Sequence, residues 1–215
     1  FVFLIHFRIQ PEEFQKALED SQQTGQFDAE RFVNIIPAKK HDHFLIPAGT
    51  IHCSGKDCMV LEISATPYIF TFKLWDWGRV DLDGKPRPIH LEHGAANIQW
   101  YRNTEWVHRN LVNAVAEVYT GENGTVVRTG LHEREFLDTF RFTTSSTLPV
   151  HRNVSVHMLN LVDGTRAVLR SKSDAFPPLE LHYAETCIVP QAAGDYEISS
   201  PDGSEVKVIL ACVRN

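Results

Sequence analysis

"HDHFLIPAGTIH", residues 41–52, is the stretch on which the fold turns. Three histidines surround a short apolar run and a Pro-Ala-Gly-Thr corner. Pro47 offers no N–H to a ladder and so ends the incoming run. Gly49 permits a tight reversal, and His52 opens the segment beyond it. Three imidazoles this close suggest one metal ion, but their spacing separates them. His41 falls at a turn position, His43 shares a strand face with it, and His52 stands alone after the corner.

Outward from this stretch the pattern keeps a period of two. "HFLIPAG" (43–49), "CMVLEIS" (58–64) and "YIFTFKLWDW" (68–77) read as strands, separated by the turns "PAGT" and "SGKD". "DLDGKPRP" (81–88) holds too much Gly and Pro for anything but a loop, and "HLEHGAANI" (90–98) reads as a short helix. Upstream, residues 1–9 read as a strand and "PEEFQKALEDSQQTG" (11–25) as a helix, opened by Pro11 and stopped by Gly25. "DAERFVN" (28–34) reads as one more short helix with Asp28 as its N-cap. From residue 99 onward many short strands follow, beginning with a hairpin around "ENG" and ending in "VKVILACV". Such a succession means a sandwich or barrel.

Composition narrows the function classes. A net charge of −6 without a basic cluster argues against nucleic acid. No apolar run approaches the roughly 20 residues of a membrane helix, so a cytoplasmic protein is expected. Cys53, Cys58, Cys187 and Cys212 match no metal spacing. Cys53 and Cys58 flank "SGKD" and would face each other across a hairpin, with reduced thiols the simpler reading. The chain opens inside a strand-like run without Met, which suggests part of a longer polypeptide.

The order turn residue, Pro47, Gly turn, His52 has the shape of the second conserved motif of the cupin barrel. "FLIPAGTIHCSGKDCMVLEIS" followed by "TFKLWDWGRVDLDGKPRPIHLE" resembles the class I mannose-6-phosphate isomerases, most nearly their short bacterial form. The resemblance covers residues 41–93 and implies a mainly β chain of cupin (jelly-roll) barrels with a short helical insertion near the start. The expected division is a metal-site barrel at 1–98, lacking its N-terminal part, and a degenerate cupin barrel at 99–215. In "YAETCIVPQAAGDYEI" (183–198) the position five after Pro190 is Asp195, so the second barrel has no histidine at its metal position.

Residue by residue, the resemblance implies that His52 binds a divalent metal, Zn2+, and that Glu62 faces the active site. Lys73 stands where the family carries a catalytic arginine. Lysine keeps the charge but loses the planar fork. Arg79 and Arg87 are candidates to bind a substrate phosphate. The family's upstream glutamine–histidine pair is absent from residues 1–40, where His6 is the sole histidine. The remaining zinc ligands are therefore expected before residue 1, the alternative being that they have been lost. "HDH" also lacks the glutamate of a first cupin motif, which weighs against a three-histidine site. Blander readings stand beside these. Trp75 and Trp77 suit packing, and His90, Glu92 and His93 suit a solvated helix start.

An acid, a cation and a metal-grade imidazole suit proton transfer beside a polarised carbonyl. The expected function is a metal-dependent sugar-phosphate aldose–ketose isomerase, mannose 6-phosphate to fructose 6-phosphate, with a small-molecule sugar phosphate as its partner. The alternative is a non-catalytic cupin module that binds a sugar or regulates a partner. A cupin oxygenase with an iron facial triad is a third and weaker possibility.

Overall fold

The computed structural model describes residues 10–64, 71–151 and 155–214, and the backbone of 2–5. Backbone contacts divide the chain into two units, Phe1–Asn113 and Ala114–Asn215. No helix of the described residues is long and apolar enough to cross a membrane.

In the first unit, α1 (Pro11–Thr24) starts on Pro11 with Glu12 and Glu13 in its first turn, where the helix dipole favours negative charge. Gly25 ends it in the left-handed conformation, donating its N–H to the Ser21 carbonyl at 2.8 Å. Phe14, Leu18 and Ser21 line the buried face at helical spacing. The Phe14 ring meets Phe27, Phe32 and Trp100 edge-on at 6.0, 5.4 and 5.9 Å.

The expected helix at 28–34 shrinks to one 3-10 turn, Ala29–Arg31, and Asp28 makes no side-chain cap. The chain then becomes strand because Val33 and Ile36 are buried and pair across to the N-terminal strand. Three strands form this sheet: β1 (Val2–Ile5), β2 (Val33–Ile36) and β3 (His52–Ser54), in the order β2-β1-β3, all antiparallel. Helices α2 (Leu91–Asn97) and α3 (Thr104–Asn110) follow. Asn103 caps α3 by accepting the Trp106 N–H at 3.0 Å.

Several strands expected in this unit do not form among the described residues. In 43–49 a single bridge, Phe44 to Val112, replaces a strand. Phe44, Leu45 and Ile46 are held instead by packing against Val107 and Leu111. Residues 58–64 join no ladder, and Met59, Val60 and Leu61 are exposed. "SGKD" therefore turns, but no hairpin follows it, and Cys53 and Cys58 are both free thiols. Of the strand expected at 68–77, residues 68–70 lie outside the described residues, and 71–77 form no strand. Residues 6–9 of the opening strand, His6 included, also lie outside the described residues. Residues 99–113, expected in the second unit, belong to the first, because Trp100, Trp106, Val107 and Leu111 bury their side chains in its clusters.

The second unit is an antiparallel sandwich. Six strands form one sheet: β4 (Ala116–Gly121), β5 (Gly124–Arg128), β6 (Leu137–Thr144), β8 (His157–Asp163), β11 (Thr186–Val189) and β13 (Val206–Val213). Their order is β11-β8-β13-β6-β5-β4. The second sheet holds β7 (Thr147–Val150), β9 (Arg166–Ser171), β10 (Leu179–His182) and β12 (Tyr196–Ser199), in the order β10-β9-β12-β7. Leu148, Leu159, Leu161, Leu169, Ile198 and Val208 fill the core between them. Alternation places these residues inward, and burying each contributes on the order of 2 kcal/mol.

His157 and Tyr196 sit within this core and share a hydrogen bond of 2.9 Å. Burial holds the imidazole below its ordinary value of 6.5 and pushes the phenol up, so both are neutral. The unfolded chain then takes up a proton, below about pH 6.5, that the native unit refuses. Stability should be full above that pH and should fall as the pH drops toward the folded value. Urea unfolding at pH 7 and pH 5, followed by circular dichroism, checks this. Tryptophan fluorescence separates the first unit, which holds all four tryptophans. His157→Gln should flatten the pH slope.

Candidate functional site

The corner 47–50 is a type II turn. The Thr50 N–H donates to the Pro47 carbonyl at 3.2 Å, with Gly49 at φ 82° in the position that requires positive φ. A Cβ on Gly49 would lie 2.5 Å from the Asn97 carbonyl oxygen, and the Gln99 N–H donates to the Gly49 carbonyl at 2.9 Å. The turn is thus pressed against the end of α2. Arg102 donates from Nη1 to the carbonyls of Pro47 (3.0 Å) and Ala48 (2.7 Å) and to Thr50 Oγ1 (2.5 Å).

His52 emerges from this corner as the first residue of β3, opposite Leu4, with its ring exposed. Its Nδ1 lies 2.9 Å from the Thr50 carbonyl oxygen. A carbonyl only accepts, so Nδ1 carries the proton and Nε2 holds the lone pair. His41 occupies a left-handed turn at φ 70°, as its motif position suggests. The backbone of His43 is paired with Asn113.

A catalytic zinc takes three protein donors. Among the described residues no three His, Cys, Asp or Glu side chains converge to hold a metal ion. His52 is ligand-competent, but the described residues do not make a zinc site by themselves, and the three-histidine arrangement does not occur among them.

Lys73 and Arg87 meet on one carboxylate. Lys73 Nζ lies 3.3 Å and Arg87 Nε 3.1 Å from the same Oδ2 of Asp76, whose side chain is 12% exposed. A carboxylate this buried is stable as an anion only when paired. The backbone fixes the group. Lys73 donates its N–H to His90 Nδ1 at 3.2 Å and accepts the His90 N–H at 2.7 Å. Gly94 in α2 lets the helix approach Phe72 and Leu74 so closely that a Cβ would strike Leu74 at 2.4 Å. After the reversal at Trp77 and Gly78, residues 79–87 run as a tight ribbon. Arg79 donates its N–H to the Asp76 carbonyl (2.9 Å), and Arg87 donates to the Arg79 carbonyl (3.2 Å). The Arg79 side chain is exposed, with no described partner.

Glu62 lies exposed in the stretch 58–64, which carries no strand among the described residues, rather than on a strand facing a barrel interior. No described hydrogen bond or ion pair links it, or His52, to the Lys73–Asp76–Arg87 group. Trp75 packs, as expected, against Phe27 at 5.2 Å. Arg102 lies outside the motifs, while Asp76 and His90 fall inside the quoted stretch 71–92 but have no role in the site assigned to them there. Asp76 had one signal, an acid between two tryptophans in "WDW".

No family model matches the chain. The crystal structure of the mannose 6-phosphate isomerase from Bacillus subtilis is similar in fold, with a TM-score of 0.67 and 15% identity over 98% of this chain and 59% of that one. In sequence, the mannose-6-phosphate isomerase of Streptococcus mutans is 35% identical over 65 residues, 30% of this chain and 20% of that protein. Mannose-6-phosphate isomerase ManA of Bacillus subtilis is 33% identical over 75 residues, 35% of this chain and 23% of that protein. The chain thus has a cupin fold and resembles these isomerases over part of its length, while the match spans about a fifth of those curated relatives.

Gly49→Ala tests the corner. The left-handed backbone and the contact with Asn97 together should cost about 3 kcal/mol of first-unit stability, measured by urea unfolding with tryptophan fluorescence.

Proposed function

We propose that this chain acts in a sugar-phosphate aldose–ketose isomerase that interconverts mannose 6-phosphate and fructose 6-phosphate. The observation carrying the reading is the pair of cations, Lys73 and Arg87, fixed on the largely shielded carboxylate of Asp76, with Arg79 exposed three residues further along the chain. The partial similarity to mannose-6-phosphate isomerases supports it.

The reaction removes a proton from C2 of the aldose and returns one to C1, while the hydroxyl proton passes from O2 to O1. An enediolate forms between the two steps, and its negative charge needs a fixed cation nearby. Lys73, 32% exposed and held by Asp76, takes that role. Glu62 serves as the carboxylate that moves the carbon-bound proton. Arg79 and Arg87 bind the phosphate dianion through charge-assisted hydrogen bonds. The zinc implied by the resemblance enters no step here, because the described residues supply only His52 toward it.

A second reading, a cupin module that binds a sugar phosphate without converting it, is favoured by that same shortage of metal donors. A coupled assay of fructose 6-phosphate formation, with and without added divalent metal, separates the two. Turnover supports the isomerase. Binding of mannose 6-phosphate without turnover sinks it in favour of the module.

Lys73→Met should lower kcat/KM by roughly 100- to 1000-fold, as loss of one transition-state donor does, while Lys73→Arg should retain activity. Arg87→Ala should raise KM about 10- to 100-fold, the value of one charged hydrogen bond, with a smaller change in kcat. Steady-state kinetics on the three variants provide the check.

A further inference from the structure

Arg102 is 6% exposed, and among the described residues no carboxylate pairs with it. A buried cation is costly unless other groups replace its hydration. Here three oxygens around Nη1 and two aromatic faces supply most of that replacement, while Nε is buried without a hydrogen-bond partner among the described residues. The oxygens all belong to the corner 47–50, and the rings of Tyr101 and Trp106 lie 5.6 and 5.3 Å from the guanidinium carbon. The backbone brings Arg102 to this place, since its N–H donates to the Gln99 carbonyl at 3.0 Å and Gln99 is itself bonded to Gly49.

Thr50 is therefore held at two points. Its N–H is bonded within the turn and its Oγ1 accepts from Arg102. What remains is its carbonyl, which points at His52 Nδ1. We infer that Arg102 is a positioning residue for His52: by fixing Thr50 it aims the carbonyl that holds the imidazole in the Nδ1–H tautomer, with the Nε2 lone pair outward. A charged donor suits this role because its hydrogen bonds are about twice as strong as neutral ones. The inference rests on the reading of His52 as the functional imidazole of an isomerase site. Arg102 itself touches no reacting atom.

The test reads the tautomer directly. Protein labelled with 15N-histidine is examined by NMR at a pH where the imidazoles are neutral, and His52 is assigned by its loss in His52→Gln. In the native protein Nδ1 should show the protonated-type shift and Nε2 the lone-pair type. In Arg102→Met the two shifts should move toward each other as the tautomers mix. A folded Arg102→Met protein with an unchanged His52 pattern overturns the inference, since a merely structural brace would lower stability and leave the tautomer alone. If that variant does not fold, Thr50→Val decides. It keeps the carbonyl and removes the hydroxyl link, so mixed shifts support the inference and unchanged shifts overturn it. No sugar or metal is present in these measurements. Failure of the isomerase assay therefore leaves this result standing, and failure here leaves the assay standing.

Discussion

A backbone N–H or C=O removed from water must find a partner, and this requirement governs both units. In the second unit every strand has a neighbour that meets it, so alternation along the chain becomes two facing sheets with a filled core. In the first unit the sheet has three short strands, and the corner, the helices and the ribbon 79–87 satisfy their backbones through turns and caps. Residues 58–64 have strand-like character, yet they form no strand among the described residues, and Met59, Val60 and Leu61 are exposed.

Two ions largely shielded from water organise two separate groups of candidate residues, and they are stabilised differently. Asp76 is neutralised by two cations, which gathers Lys73 and Arg87 into one place. Arg102 has no counter-ion among the described residues and is stabilised by carbonyl and hydroxyl oxygens and by ring faces. The first arrangement draws two cations together. The second stiffens a turn and, through Thr50, the histidine beyond it. Removing either partner of such a contact leaves a polar group stranded, which costs more than the contact itself contributes.

Much of the site was legible in part. The spacing of Pro47, Gly49 and His52 sets one imidazole apart from three; in the fold His41 sits in a left-handed turn and His52 opens β3. Lys73 was marked by the resemblance and Arg87 by its charge in the loop, and the structure brings them together on Asp76. Glu62 was chosen for a strand face, and no strand carries it, because its neighbours find no ladder. Asp76 stood between tryptophans inside the motif stretch, with no role assigned to it. Its role depends on Arg87, eleven residues on, folding back across the reversal at Gly78.

Residue order alone determines the features whose physics is local. Pro11 and Gly25 bound α1, Gly49 permits the type II corner, and period-two alternation builds the second unit, since each depends on backbone sterics or on side chains a few positions apart. Folding in three dimensions decides which extended stretches become strands, which cations share a carboxylate, and that Arg102 reaches back to the corner before His52. Those outcomes depend on partners distant in sequence. The energy of a buried charge or of an unpaired backbone group is settled only by what surrounds it.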